Sequence, residues 1–480
     1  MHRPQFLTRE THALVLAGFV GIGIGLLTPV AVEQATSGKN LWLALAPFMV
    51  PVLLLMAMRP VIGAAAFIVF GFVNPSDLPP LMEVGAFTLR YVDGVFCLFI
   101  CMVLARSVIG RRAAILTEVR ELFAPLLLFL LYIGLSLVFV RISAPAFFTA
   151  SMASYMRLLL TASIAPLLCV TLRDRWDIQF FNKTLIVFSI ATVAVAAGLG
   201  AGGAEALPAR YGGVIGMGPL GLLSGLLILY AFIERDRNPW SIIWIVSLAA
   251  GLLGLYLAKT GSGAFAVAVT ATVYFASMRS RRFDLLRWAV VGTIMVTAAA
   301  LAIWTTRQSD VSGVGDVSGG SYAERMMFGY AGLRVFLDHP LTGVGWLATT
   351  SEAVIGTHAF TAVLMKNFSH LPTNYFAQPP TSVHNMYIQF LAELGVIGFA
   401  LFVWVCFRTG KSVARIVKNI PADSPYRVWA QFYALGLIYL LVWWNNSTLF
   451  GGQIETILAF TFLAVLVNMA QLERQRVEQL

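Results

Sequence analysis

Arg325 is a candidate anion ligand, because the residues around it predict a helix start. Residues 321–324 read Ser-Tyr-Ala-Glu, the pattern of a capping box, which predicts a helix from here to about Asp338. Arg325 would then lie in the first turns, where free N–H groups and the helix dipole favour anions. Its guanidinium group binds phosphate through two parallel hydrogen bonds. Alternatively, Arg325 pairs with a nearby acid such as Glu324 or Asp316.

The same predicted helix carries an apolar stripe at helical spacing. The stripe would lay the helix, which must end before Pro340, on a larger apolar body. Its members are Tyr322, Met326, Gly329, Tyr330, Leu333 and Leu337.

Arg210 is a second candidate anion ligand. It begins the run Arg-Tyr-Gly-Gly at residues 210–213, just before a long apolar stretch. The two glycines would let the backbone approach a ligand closely. The alternative is an interfacial arginine whose charged end reaches the lipid headgroups.

His384 is a candidate general base. It follows two prolines, Pro379 and Pro380, and immediately precedes an apolar stretch that predicts a helix. The helix dipole disfavours a charged imidazole at such a position, so we expect a neutral ring that accepts a proton. The alternative is an interfacial histidine that only makes hydrogen bonds.

Glu393 lies in the same predicted helix as His384, nine residues further on. Helical geometry turns it away from His384 and places it about 13 Å deeper. We therefore predict that Glu393 makes a buried polar contact to another helix and does not orient His384.

The composition places these residues in a membrane protein. Hydrophobic residues make up 59% of the 480-residue chain and charged residues 12%, whereas soluble domains carry about 25% charged residues. The net charge of +10 is best explained by Lys and Arg in cytoplasmic loops, since no nucleic-acid-binding module is recognisable. Cys97, Cys101, Cys169 and Cys406 all fall in apolar segments and are interpreted as buried hydrophobic residues.

Apolar stretches long enough to cross a bilayer recur along nearly the whole chain. They predict an all-α polytopic protein with about 14 transmembrane helices, and at least 12. The candidate spans are residues 12–32, 41–58, 60–73, 91–109, 122–140, 152–172, 183–203, 213–233, 240–258, 262–278, 287–304, 386–407, 429–447 and 453–470.

The distribution of positive charge predicts that both termini are cytoplasmic. This orientation puts most of the 33 Lys and Arg residues on the cytoplasmic side. It divides the chain into a membrane domain with the first eleven helices, one large periplasmic loop that contains helices, a second membrane region with helices twelve to fourteen, and a cytoplasmic tail. The respective ranges are 1–304, 305–383, 384–470 and 471–480.

Several motifs of other enzyme classes are absent from the sequence. It contains no H-E-x-x-H zinc motif, no Walker motif, no G-x-S-x-G elbow and no D-x-D pair. His358, His370 and His384 are spaced too widely for a local zinc site. We therefore expect neither a metal nor another cofactor.

Two segments together resemble the signature of the O-antigen ligase and polymerase superfamily. Arg325 and its helix lead into Pro-Leu-Thr-Gly-Val-Gly at residues 340–345. His-Asn at residues 384–385 and Glu-Leu-Gly-Val-Ile-Gly at residues 393–398 follow. The family pattern is Arg, a helix, Pro-Leu-x-Gly-Val-Gly, His-Asn and Glu-x-Gly-x-x-Gly, and the resemblance covers about residues 320–410.

The resemblance implies a GT-C-like membrane glycosyltransferase of the bacterial inner membrane, with its active site on the periplasmic side. Its donor would be a glycan on undecaprenyl diphosphate. By the family's motifs, Arg210 and Arg325 would bind the donor diphosphate and His384 would act as the catalytic base at the acceptor. Lys259, Arg334 and Asn385 are further candidates.

The implied chemistry needs no metal, because arginines can stabilise the charge that develops on the leaving diphosphate. His384 would take the proton of an acceptor hydroxyl, and a single displacement would invert the anomeric centre.

Three functions are compatible with these features. The first is a polymerase that extends a surface polysaccharide, exopolysaccharide or O-antigen, and the predicted fourteen spans favour it, because ligases of the family usually show about twelve. The second is a ligase that transfers a finished chain to lipid A-core. The third is a transporter or flippase of lipid-linked glycan or a small solute, which the absence of matched halves disfavours. Other polysaccharide assembly proteins are expected partners, and nucleic acid is not.

Overall fold

The computed structural model describes residues 59–72, 82–84, 87–89, 117–172, 174–201, 217–258, 261–277, 292, 317–356, 383–447, 449 and 454–478. In this part of the chain the backbone is almost entirely helical. One short antiparallel hairpin interrupts it, formed by β1 (Met82–Val84) and β2 (Phe87–Leu89). Helices suit the apolar sequence because each backbone N–H and C=O group is satisfied within its own segment.

Twelve α-helices lie in the described ranges. They are α1 (Pro60–Phe72), α2 (Thr117–Ser143), α3 (Phe148–Ala162), α4 (Ile164–Thr171), α5 (Arg175–Ala201), α6 (Met217–Arg237), α7 (Ile242–Ala258), α8 (Gly261–Ser277), α9 (Val317–Asp338), α10 (Met386–Asn419), α11 (Arg427–Trp443) and α12 (Ile454–Glu478). Short 3₁₀ helices occur at Pro145–Phe147, Ala348–Thr350 and Trp444–Asn446, and one π-helical turn occurs at Glu352–Gly356.

Six described helical stretches are long and apolar enough to cross a membrane. These six are Phe123–Ser143, Pro145–Cys169, Arg175–Gly198, Gly218–Arg237, Met386–Asn419 and Ile454–Glu478. Three shorter apolar helices, Ile242–Ala258, Ser262–Ser277 and Arg427–Trp443, coincide with further predicted spans. The prediction of a helical membrane protein is confirmed.

The number of spans stays a prediction. Predicted spans 12–32, 41–58, 91–109 and 287–304 lie outside the described residues. The predicted span 152–172 is divided between α3 and α4, which meet at Ser163. Helix α12 continues through most of the predicted tail 471–480, as far as Glu478, and the cytoplasmic location of the tail stays a prediction.

The helices pack into two main hydrophobic cores. The larger core joins α1, α4 to α6, α8, α11 and α12, and its fully buried aromatic residues include Phe181, Tyr433 and Phe462. The second core joins α2, α3, the first half of α10 and the chain after α9, around Trp346 and Phe390. The second core supports the segments at residues 340–345 and 393–398 and so positions the candidate site.

Residues Pro340–Thr350, hereafter the inserted segment, pack directly against α2. The hydroxyl of Ser143 donates to the carbonyl of Val344 (2.8 Å), and the backbone N–H of Trp346 donates to Ser136 Oγ (3.1 Å). Irregular backbone is tolerated among membrane helices where protein buries it and satisfies its polar groups. This part of the predicted periplasmic loop therefore packs among the helices of the bundle.

The inserted segment also provides hydrogen-bond partners for the backbone of α10 where that helix is interrupted at Gly395. Gly395 has φ 65° and ψ −171°, which interrupts the helix. The freed N–H groups of Val396 and Ile397 donate to the carbonyls of Pro340 (2.8 Å) and Leu341 (3.3 Å). These backbone hydrogen bonds explain why the glycine-rich motifs at residues 340–345 and 393–398 occur together in one sequence.

The carbonyls before the break are satisfied in the same way. Ala392 accepts from the N–H of Val344 (3.0 Å), and Glu393 accepts from the N–H of Gly345 (2.8 Å). The carbonyl of Leu394 accepts from the hydroxyl of Tyr132 in α2 (3.0 Å).

Gly395→Ala is expected to destabilise the protein by about 2–4 kcal/mol. Its backbone conformation is essentially restricted to glycine, and a Cβ atom would overlap the carbonyl of Leu341. Thermal unfolding of purified protein measures the effect. Gly410→Ala in the same helix is the matched control, because a Cβ there meets no atom within 4 Å. Equal stability of the two variants would contradict the described break in α10.

Candidate functional site

His384 lies just before the first turn of α10, as the sequence predicted. Its backbone has φ 52°, a left-handed conformation that is uncommon for residues other than glycine but is enriched in histidine. The next residue, Asn385, is the N-cap of the helix and has an extended backbone conformation. This sharp turn of the chain therefore places His384 at the N-terminus of α10, where the residue is partly exposed.

The side chain of Asn385 fixes this turn. Its Oδ1 accepts from the N–H groups of Tyr387 (3.0 Å) and Ile388 (3.1 Å), which caps the helix. Its Nδ2 donates to the carbonyl (3.0 Å) and the Oδ1 (2.9 Å) of Asn445. An amide can accept two bonds and donate two, so the capacity of Asn385 is fully used within the protein.

Two more side chains of α10 attach the end of α11 beside His384. The hydroxyl of Tyr387 donates to the carbonyl of Leu441 (2.5 Å). The amide of Gln389 accepts from the N–H of Leu449 (2.8 Å) and donates to its carbonyl (3.2 Å). The 3₁₀ helix Trp444–Asn446 is thereby held next to the N-terminus of α10, which leaves the side chain of Asn445 exposed.

Arg325 lies in α9, but not at the helix start that the capping box predicted. The helix begins at Val317, so Arg325 is its ninth residue, about 12 Å along the axis from the first. The dipole acts mainly within the first turn, so the predicted contribution of the helix N-terminus to anion binding at Arg325 is wrong. A cap contributes about 1 kcal/mol, which the backbone hydrogen bonds of an additional turn can offset.

The face of α9 that packs on α10 also differs from the predicted apolar stripe. The buried residues include Phe328, Ala331 and Val335, and of the predicted stripe Gly329 is also buried, whereas Leu333 and Leu337 are 40% and 62% exposed. The reason is steric, because glycine leaves room for a neighbouring helix. A Cβ at Gly332 would lie 2.9 Å from a methyl group of Ile388 and 3.0 Å from one of Val383.

The position of Arg325 faces α10 by helical spacing. Gly332 lies seven positions after Arg325, which is almost two full turns, so both positions lie on the same face of α9. Arg334 is turned about 200° from Gly332 and is exposed. The backbone of α9 thus brings the face of Arg325 towards the helix that begins after His384, and places Arg334 on the other side.

Three predicted site groups lie outside the described residues. They are Arg210, Lys259 and the side chain of Arg325, whose backbone alone is described. Their proximity to His384 stays a prediction. Within the described ranges, no group of three or more His, Cys, Asp or Glu residues could hold a metal ion.

Glu393 is completely buried, as predicted, but its partners differ from those expected. Its carboxyl group accepts a short hydrogen bond from the hydroxyl of Thr349 and another from Gln389 Nε2 (3.0 Å). The contact is therefore to the inserted segment and to its own helix, and not to another membrane helix.

Sequence reasoning missed several of these contacts. Asn445, Thr349 and the serines of α2 are ordinary polar residues, and no local pattern distinguishes them. The run Trp-Trp-Asn-Asn at residues 443–446 ends a predicted span and could have indicated a polar cluster at that end.

The described elements define a polytopic helical membrane protein. Its helix α10 is interrupted at Gly395, where the inserted segment packs against it, and the candidate site lies at the N-terminus of α10. Residues 245–403, from α7 to the first half of α10, match the family model of the O-antigen ligase. This match covers about a third of the chain, and it supports the resemblance of these residues to the O-antigen ligase and polymerase superfamily. No curated protein matches the chain significantly.

The matched segment supports a general activity of the O-antigen ligase or polymerase type. Such an activity implies a glycosyltransferase that acts on a lipid-linked glycan and an acceptor.

Proposed function

We propose that the protein polymerises a bacterial surface polysaccharide at the periplasmic face of the inner membrane. The growing chain would be transferred from undecaprenyl diphosphate to a new lipid-linked unit. The observation that carries this proposal is the packing of α9, which bears Arg325, against α10, which begins directly after His384. A cation and a general base on two adjacent helices are the groups that this transfer needs.

Each residue has a separate role in the proposed reaction. Arg325 and Arg210 bind the donor diphosphate and stabilise its negative charge as the glycosidic bond breaks. His384 accepts the proton of the acceptor hydroxyl while that oxygen attacks the anomeric carbon, with inversion. Asn385 orients the turn of His384, because its amide is already occupied by the helix cap and Asn445.

The alternative is a ligase that transfers a completed chain to lipid A-core, and the match of residues 245–403 to an O-antigen ligase family favours it. Both enzymes use the same donor chemistry and differ in the acceptor. Deletion of the gene, followed by analysis of surface and lipid-linked glycans, separates the two. A polymerase is expected to leave single repeat units, whereas long lipid-linked chains that remain unattached would identify a ligase. Unchanged glycans of both kinds would favour the transporter of small solutes.

A further inference from the structure

We propose that Glu393 is a positioning residue that sets the placement of α9, and hence of Arg325, relative to His384. This inference rests on the proposed function, since it assigns a role in the same transfer reaction. Glu393 lies on the helix that follows His384, and it holds the segment that continues from the helix of Arg325.

The carboxyl group of Glu393 attaches the inserted segment to α10 through a hydrogen bond. It is fully buried, and two side-chain donors reach its two oxygens: the hydroxyl of Thr349 and the amide of Gln389. A buried carboxyl group holds such partners in a defined geometry, because each donor would otherwise be left unsatisfied.

The turn that Glu393 holds would not be stable as an isolated peptide. Leu347 has φ 64° and ψ 2°, a left-handed conformation that non-glycine residues rarely adopt. Such conformations persist where surrounding contacts impose them, and the bond from the hydroxyl of Thr349, two residues later, to Glu393 is one of these contacts. Trp346, fully buried beside Phe390 with 6.4 Å between ring centroids, anchors the turn from the other side.

A change in this turn would be transmitted to α9. The inserted segment begins two residues after α9 ends and pairs with the backbone on both sides of the Gly395 break. Gly332 leaves α9 in close contact with Val383 and Ile388, on either side of His384 and Asn385. Displacement of the inserted segment therefore shifts the helix of Arg325 against the turn of His384.

The test compares four variants of the full-length protein. Glu393→Gln replaces one carboxyl oxygen by an N–H₂ group, which cannot accept. Thr349→Val removes the hydroxyl from the other partner, and Thr349→Ser retains it. Thr350→Val is the matched control, because the hydroxyl of Thr350 donates to the carbonyl of Leu347 within the turn (2.7 Å) and not to Glu393.

Three measurements are made on each purified variant. Thermal unfolding reports the folded fraction, and binding of undecaprenyl diphosphate reports the donor site. Turnover is measured with the lipid-linked glycan fraction extracted from the deletion strain. For Glu393→Gln and Thr349→Val we expect kcat per folded molecule to fall by about 10²-fold, as a small misplacement of reacting groups does. Binding of undecaprenyl diphosphate is retained, because Arg325 itself is unchanged.

The pattern across the set distinguishes positioning from a purely structural role. Thr349→Ser and Thr350→Val are expected to keep their turnover, and the double variant of Glu393 and Thr349 is expected to lose less than the sum of the single losses. Lower unfolding temperatures with unchanged turnover per folded molecule would overturn the inference. If Glu393→Gln does not accumulate, Thr349→Val decides the question by the same criteria.

Failure of this inference and failure of the proposed function give different results. Full turnover in Glu393→Gln and Thr349→Val, with none in His384→Ala, rejects only the positioning role. Full turnover in both His384→Ala and Arg325→Ala rejects the transfer mechanism and the positioning role with it.

Discussion

His384→Ala is expected to reduce glycan transfer by about 10²–10⁴-fold, the usual contribution of a general base. The variant lacks the group that accepts the proton of the acceptor hydroxyl. We expect it to accumulate in the membrane and to bind undecaprenyl diphosphate normally, since Asn385 still caps α10. Turnover with the lipid-linked glycan fraction of the deletion strain, and complementation of that strain, measure the loss.

Two companion variants separate chemistry from backbone conformation at this position. His384→Asn keeps a residue type that tolerates the left-handed conformation but cannot accept a proton, so it should be as inactive as alanine. His339→Ala is the matched control, because His339 is an exposed histidine just after α9. Normal turnover in His384→Asn would show that the imidazole is not the base.

Arg325→Ala is expected to weaken binding of undecaprenyl diphosphate and to lower turnover by about 10²-fold or more, because a donor to the developing charge is lost. Arg325→Lys should recover little of this. Lysine keeps the positive charge, but it lacks the planar fork that binds two phosphate oxygens at once. Binding of undecaprenyl diphosphate and turnover are measured in parallel for the two variants.

The control for Arg325 is Arg141, an arginine that directly follows the predicted span 122–140. Arg141 is exposed at the end of α2, where its guanidinium group lies 5.6 Å from the ring centroid of Phe148. Arg141→Lys should keep both binding and turnover. Full activity of Arg325→Lys would argue against two-pronged binding of the diphosphate, and full activity of Arg325→Ala would remove Arg325 from the site.

Features that depend on neighbouring residues in the chain could be predicted well. Apolar stretches predicted nine helices that the structure describes as apolar, and the end of α9 at Asp338 follows from Pro340 two residues later. The start of α10 after His384 was also predicted, because Asn385 is a favoured N-cap residue. These signals are local, so they survive in any tertiary arrangement.

Features that depend on distant segments could not be predicted. Whether Leu333 or Val335 faces the bundle depends on Gly332 fitting against Ile388, which lies in another helix. The prediction for the start of α9 was wrong because a cap contributes only about 1 kcal/mol, which the backbone hydrogen bonds of an additional turn can offset.

The sequence by itself determined that this protein is a bundle of membrane helices and that it carries motifs resembling those of the O-antigen ligase and polymerase superfamily, because hydropathy and motif spacing are read along the chain. Only the tertiary structure decided which hydrogen bonds those motifs make with each other. The glycines of residues 340–345 and 393–398 allow two backbones to meet at the break in α10, and Glu393 holds the adjoining turn at Thr349. That meeting joins segments about fifty residues apart, and hydrogen bonds between such segments have no signature in either one.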